Sequence, residues 1–294
     1  MVRKVSQKEK EEVVLSQPTP HPFVKWAGGK VRLTGMIAKR IPTGLRYNRY
    51  LEPFVGAGAM FFWIRRSFPK LDCTLGDLNE ELMLSYRAIR DDVEAVSSKL
   101  ETHSMMHSED HYYAVRKSKP RRETERAARF IYLNRTCFNG LYRVNRKGQF
   151  NVPIGKYRDP KILDRENLLA VSAVLKESEL ITGDFGEITD GCGSGTLVYL
   201  DPPYSPISEK TGFTEYTRAG FKQEDQERLA KMFLKMIRNG ATVILSNSDT
   251  PFVRKLYSSL RPSPSLEVIE VARSINSKAS GRGRVKELLI HYHP

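Results

Sequence analysis

The sequence predicts an α/β fold: a seven-stranded mixed sheet with helices on both faces, plus a mainly helical insertion that carries a β-hairpin. Three observations predict it. Seven short stretches read as strands, one opening at Tyr50 and the others at 71–77, 180–185, 196–200, 242–248, 266–271 and 285–292. Most are short apolar runs bounded by turn residues, the pattern of a sheet built from βαβ units. Between residue 80 and about 175 that pattern gives way to helical spacing. The last two stretches read as a terminal antiparallel pair, which makes the sheet mixed.

Composition bounds the rest. With 294 residues the chain can bury a full core as one large domain or two modest ones. Lys and Arg number 48 against 34 Asp and Glu, a formal charge of +14. Such a charge attracts polyanions. Nucleic acid is the first expected partner, an anionic membrane surface the second, and a merely soluble basic protein the third. No run of ~20 apolar residues is present, so no membrane span is expected. Met1 to Glu12 carry both charges and no apolar core, unlike a secretory signal. Cys73, Cys137 and Cys192 are far apart, which argues against a disulfide framework or zinc site and for a reducing, cytoplasmic setting.

Residues 1–20 read as a flexible tail. Lys25-Trp26-Ala27-Gly28-Gly29-Lys30 then leads into a helical pattern with Leu33, Met36 and Ile37 on one face. Two glycines at the mouth of a helix let a ligand approach backbone amides, and Lys25 and Lys30 can meet anions. Solvated lysines on a glycine turn are the plainer reading. The strand at Tyr50 runs into Glu52-Pro53-Phe54-Val55-Gly56-Ala57-Gly58 and an apolar helix. This is the first βα unit of a Rossmann-like, nucleotide-binding sheet, in which Gly56 permits the turn and Gly58 the approach of a ligand. The third glycine of the dinucleotide fingerprint is missing, so NAD is not favoured. Asp77 ends the second strand about twenty residues on, where an acid accepts from ribose hydroxyls. It could equally cap the following helix.

In the insertion, Arg146-Lys147-Gly148-Gln149 lies between two β-like stretches and reads as a hairpin turn. The surrounding Arg, Asn, Lys and aromatic residues suit either a β-ribbon reading base edges in a major groove or an ordinary solvated hairpin. Gly183-Asp184-Phe185 closes a strand with an acid and an aromatic that could grip a purine. The run 196–200 ends on Asp201-Pro202-Pro203-Tyr204. Proline cannot continue a central strand, so Asp201 should stand at a strand end facing the crevice where α/β sheets bind ligands. A rigid turn with a capping Asp is the alternative. Residues 205–220 read as a loop beside the site. The Gly/Ser-rich stretch 273–284, with Arg282 and Arg284, can track phosphates or be a solvated loop.

These stretches in this order, with Leu245-Ser246-Asn247, resemble the Dam-type DNA adenine-N6 methyltransferases. The resembling class has its recognition domain inserted between the glycine-rich and Asp-Pro-Pro-Tyr motifs. Asn139 to Asn145 and Phe150 to Pro153 are similar to the recognition hairpin of GATC-reading members, the branch that includes the streptococcal restriction-system methylase. The resemblance covers nearly the whole chain. It implies a catalytic domain of 21–80 with 176–294 and a target-recognition domain of 81–175. It also implies S-adenosyl-L-methionine as methyl donor, S-adenosyl-L-homocysteine as product, and no metal. Trp26, Lys30, Phe54, Gly56, Gly58, Asp77, Asp184, Phe185 and Asp201 would line the donor's pocket. Lys25, Phe138, Asn139, Leu141, Arg143, Asn145, Pro153, Lys156, Arg282 and Arg284 would contact double-stranded DNA. Lys156 stands where GATC-reading relatives often carry Arg, and Lys cannot make the paired hydrogen bonds of a guanidinium.

By the same resemblance Asp201, Pro202, Pro203 and Tyr204 are catalytic. The adenine amine is a poor nucleophile because its lone pair is delocalised into the ring. The Asp201 carboxylate and a carbonyl of Pro202-Pro203 would accept its hydrogens and localise that pair, while Tyr204 stacks on a base taken out of the duplex. Three alternatives stay open: an RNA base methyltransferase, an N4-cytosine methylase, and a non-catalytic DNA-binding protein on the same fold. A monomer or weak dimer is expected, with a restriction endonuclease acting on the same site but not as a stable complex.

Overall fold

The structure, a computed structural model, describes residues 18–204, 221–272 and 284–294. Seven strands form one sheet: β1 (Arg49–Glu52), β2 (Asp72–Asp77), β3 (Ser178–Thr182), β4 (Thr196–Leu200), β5 (Thr242–Ser248), β6 (Ser265–Ala272) and β7 (Arg284–Tyr292). Their order is β3-β2-β1-β4-β5-β7-β6. β1 to β5 pair in parallel, whereas β7 runs antiparallel to both β5 and β6. β4 and β5 are buried along their whole length, which is why they read as unbroken apolar runs rather than alternating ones. Alternate side chains feed two cores. Tyr50, Leu197, Tyr199 and Ile244 point to one, and Leu51, Val198, Leu200, Val243 and Leu245 to the other, so both faces of the sheet are covered.

Strand order reverses between β1 and β4. A crevice therefore opens at their C-terminal ends, where neither connection crosses over it. The helices follow from spacing and caps. In α8 (Gln223–Arg238), Leu229, Ala230, Phe233, Met236 and Ile237 form one buried stripe. α9 (Pro251–Ser258) starts with Thr250 accepting from Val253 N and a proline in its first turn. From β2 the chain passes through α3 (Glu80–Met105), α4 (Glu109–Lys117), α5 (Glu123–Thr136) and α6 (Arg165–Leu175) before returning at β3. α3 packs on α5 and α6 and also against β2 and β3. The earlier helices are α1 (Thr34–Ala38) and α2 (Ala59–Ser67), and α7 (Phe185–Ile188) follows β3. The three cysteines are buried and free.

Several sequence expectations shift. Met36 is 37% exposed while Leu33 and Ile37 are buried, because α1 is a single short turn that packs by one edge. Asp77 is not the cap of α3. Asn79 is, its side chain accepting from Leu82 N, while Asp77 accepts from Asn79 N. The strand expected over 180–185 ends at Thr182. Asp184 instead caps α7 through Gly186 N, with Phe185 as its first residue. The helical spacing that begins after residue 80 forms first one long element, α3, broken at Asp92, whose carboxylate accepts from Ala95 N and restarts the helix. The tail up to residue 17, the loop 205–220 and the basic stretch 273–283 with Arg282 lie outside the described residues. Of Arg284, only the backbone pairing with Ala272 is described.

Candidate active site

β4 ends on Leu200, and the two prolines after Asp201 keep the chain from extending the sheet. The Asp201 carboxylate thus stands in the crevice beside the end of β1. Lys30 Nζ lies 3.0 Å from Asp201 Oδ1 and donates to Gly28 O at 2.7 Å. The same ammonium sits 4.7 Å from the centre of the Tyr204 ring and 4.0 Å from Glu287 Oε2. Tyr204 Oη donates to that carboxylate oxygen at 2.7 Å. Burial pushes Asp201 up to about 6 against the pull of Lys30, and Glu287 adds to the rise. Beneath it Glu52 is buried, accepts from Tyr50 Oη at 2.7 Å, and is pushed by burial to about 8. One oxygen of Asp201 therefore faces an ammonium, while the carboxyl beneath favours its neutral form at pH 7.

The glycine turn adjoins this corner. Gly56 and Gly58 have φ of +48° and +73°. A Cβ on Gly56 would stand 2.8 Å from the Trp26 ring, and one on Gly58 2.7 Å from Tyr86 Oη. Tyr86 Oη in turn donates to Gly56 O at 3.1 Å. Asp77 Oδ2 accepts from Gly56 N at 3.2 Å, tying the end of β2 to the turn. Burial raises the Asp77 carboxyl to about 6 despite these backbone donors. Phe54, Phe185 and Phe221 cluster with ring centres 5.4 to 6.0 Å apart. Asp184 is drawn elsewhere, both oxygens paired at 2.7 Å with Arg228, which holds its carboxyl below the usual range.

The hairpin is real but short. Val144 and Phe150 form one antiparallel bridge and Cys137 and Ile154 another. Asn145 builds the turn: its amide donates to Gln149 O, and its side chain accepts from Lys147 N and Gln149 N. Arg143 folds across the pair, Nε donating to Asn151 Oδ1 at 2.7 Å. Phe138, Arg143, Pro153 and Lys156 are exposed, Asn139 and Leu141 half-buried. Asn139 is the one described non-glycine residue with positive φ, +53°. Lys25 packs against Gly140, with Nζ 3.8 Å over the Tyr157 ring. Asn134 clamps the Lys25 backbone at both N and O, at 2.7 Å each, and donates to Gly140 O. The Lys25–Lys30 segment thus joins hairpin and catalytic corner.

A family model for the D12 class of N6 adenine-specific DNA methyltransferases matches residues 26–275. The chain belongs to this family. It is 39% identical over 286 residues to a type II methyltransferase of Methanocaldococcus jannaschii, covering 92% of this chain and 98% of the relative. A type II methyltransferase of Lactococcus lactis subsp. cremoris is also 39% identical, with 92% and 94% covered. A DNA adenine methylase of Vibrio cholerae is 33% identical, with 92% and 96% covered. Membership favours adenine in DNA over RNA or cytosine as the target.

A D12-class methyltransferase uses S-adenosylmethionine, and the residues present fit it. Gly56 and Gly58 let Trp26 and Tyr86 pack directly on the turn, and the Asp77 carboxylate and the Phe54 ring cluster stand beside it, an acid and an aromatic face of the kind a nucleoside uses. Among the described residues no three His, Cys, Asp or Glu are grouped to hold a metal ion, and no helix is long and apolar enough to cross a membrane. Four residues of this candidate site escape a sequence reading. Glu287 stands on β7 and reaches Tyr204 because β7 runs antiparallel, which brings its start to the C-terminal end of β5, in register with Ser248. Gln226 sits on the buried stripe of α8 and donates to Pro203 O at 3.1 Å. Asn134 and Tyr86 read as ordinary helix positions. Only a polar residue interrupting an apolar stripe, as Gln226 does, could have flagged one of them.

Proposed function

We propose that this methyltransferase transfers the methyl group of S-adenosylmethionine to N6 of an adenine within GATC, in duplex DNA, with the target base turned out of the helix. The observation that carries this is the Asp201 carboxylate, set at the strand-order switch and followed at once by Pro202, Pro203 and Tyr204. With its carboxyl at about 6, Asp201 is mostly ionised at neutral pH and can accept a hydrogen from the adenine amine. The Pro203 carbonyl is taken by Gln226, so we assign the second acceptor to Pro202. Two acceptors draw the nitrogen towards tetrahedral geometry and localise its lone pair. Lys30 leaves Asp201 for Glu287 as the amine arrives, and Tyr204, anchored by Glu287, offers its ring to the base. When bound, the donor supplies an electrophilic methyl on a sulfonium. Trp26, Phe54, Gly56, Gly58, Asp77, Phe185 and, after release from Arg228, Asp184 would hold it. Placement of the two reactants provides much of the rate.

Residues 81–175 serve as the recognition domain on the catalytic domain of 21–80 and 176–294. Phe138, Asn139, Leu141, Arg143, Asn145 and Pro153 meet bases, Lys25 the edge of the site, and Lys156 the outer base pair. Arg282 and Arg284 meet phosphates. The enzyme acts as a monomer or weak dimer in the cytoplasm, beside a restriction endonuclease of the same specificity but not bound to it. Plasmid DNA treated with the protein and donor should become resistant to an endonuclease that cuts only unmethylated GATC and sensitive to one that cuts only the methylated site. Asp201→Ala should abolish this while DNA and donor binding persist. Adenine methylation by the variant at a rate near wild type would overturn the mechanism. Methylation of other sequences alone would overturn the GATC assignment.

A further inference from the structure

A chain of buried amides runs from the catalytic segment into the sheet. Gln226 Nε2 donates to Pro203 O at 3.1 Å. Its Oε1 accepts from Asn247 Nδ2 at 2.9 Å, and Asn247 Oδ1 accepts from Ser248 N at 2.8 Å. Gln226 is 1% exposed and Asn247 not at all. Neither is needed for packing: α8 would close its stripe as well with an apolar residue, and β5 is otherwise a central strand. A buried primary amide carries a cost unless each of its groups finds a partner. Main-chain groups set the direction of the chain at both ends. Ser248 N can only donate and Pro203 O can only accept. The two side-chain amides between them therefore have one orientation that satisfies every bond.

We propose that Gln226 is a positioning residue for methyl transfer. Oriented by Asn247, its amide fixes the plane of the peptide between Pro203 and Tyr204, and so the direction of the Tyr204 ring and, through the preceding residue, of the Pro202 carbonyl offered to the base. This rests on the reading that Asp201 to Tyr204 receive the adenine amine. The other end of the segment is held independently, by Tyr204 Oη on Glu287. The first anchor, on α8, reaches β5 through Asn247, and the second stands on β7, where Glu287 is in register with Ser248. The segment is thus gripped from the sheet at two successive residues, while Asp201 stays on β4. A shift of about 1 Å at reacting groups costs on the order of a hundredfold in rate.

The test compares wild type, Gln226→Leu and Gln226→Glu in single-turnover methylation of a GATC duplex at saturating donor, across pH, together with thermal melting and binding of donor and duplex. Gln226→Leu keeps the shape and loses the donor. Its single-turnover rate should fall about tenfold or more, with both affinities close to wild type, while melting drops because the Asn247 amide loses its acceptor. Gln226→Glu places a carboxyl against the Pro203 carbonyl, and only its protonated form can donate there. Its rate relative to wild type should rise as pH falls. Asp201, Lys30, Glu287 and Tyr204 face this segment in both proteins, so the ratio isolates what the substitution adds. A merely structural role predicts that melting follows the same pH course, whereas positioning changes the rate of the folded, duplex-bound protein. A ratio flat in pH, or a wild-type rate in Gln226→Leu, overturns the proposal, and the pH ratio decides it should Gln226→Leu fold poorly. An active wild type with either result overturns this inference alone. A wild type that methylates no adenine overturns the reading beneath it as well.

Discussion

Lys30 Nζ, 3.0 Å from Asp201 Oδ1, holds the oxygen that the proposed mechanism offers to the amine, and it also helps keep that oxygen ionised. Burial raises the Asp201 carboxyl to about 6, and the ammonium is the main force against a further rise. The carboxylate is the working form, because a protonated carboxyl donates where it should accept. kcat/KM should therefore fall as pH drops through about 6. In Lys30→Met the opposing charge is gone, so this acid limb should move to higher pH, with about tenfold less activity on the acid side than wild type. A pH–rate series on both proteins checks it, and an unmoved limb would show that Lys30 does not set the state of Asp201. At this scale the sequence announces Asp201 and the glycines, because proline and glycine restrict or free the backbone locally. It does not announce the pairing of Lys30 with Asp201, since the two are joined only by the closing of the sheet. Lys30 reads as a contact for an external anion, and its partner in the structure is an internal one.

The elements themselves were largely legible. β4 and β5 are buried on both faces and so appear as continuous apolar runs, and α8 shows its stripe at helical spacing. Boundaries set by side-chain capping were harder. Asn79 and Asp184 each end one element and begin another, and a carboxylate or amide at such a point looks the same whether it caps a helix or awaits a ligand. The hairpin shows both sides of this. Its turn was readable from Gly148, yet its rigidity comes from Asn145 accepting two backbone amides and from α4, where Tyr112 and Arg116 both donate to Val152 O, at 2.9 and 3.1 Å. Arg143 is an exposed arginine on that frame, held against Asn151 at 2.7 Å. Were it to read a base edge, Arg143→Ala should cost about 1–3 kcal/mol of binding and relax one position of the site. Binding measured on duplexes altered one base pair at a time checks this. An equal loss on every sequence would make Arg143 a phosphate contact.

Across the whole molecule, charge and chemistry are kept apart. The chain carries +14, and its substrate is a polyanion. The corner proposed to do the chemistry is different: Lys30 is 5% exposed, and it is matched by Asp201 and Glu287. Surface cations act on DNA through displaced counterions, so their contribution falls steeply with salt, whereas a buried pair is screened far less. Affinity and rate should therefore respond differently to ionic strength. With six to ten phosphates neutralised, duplex affinity should drop about 10³–10⁵-fold between roughly 50 and 200 mM salt. The single-turnover rate of duplex already bound should change little over the same range. Titrations and single-turnover measurements at matched salt test both halves. A rate that falls in parallel with affinity would mean that the Asp201 corner is open to solvent ions when DNA is bound. An affinity flat in salt would mean that the positive charge serves some purpose other than holding the duplex. Arg143→Ala offers an internal control, because a base contact should leave the salt slope unchanged while a phosphate contact should reduce it by about one.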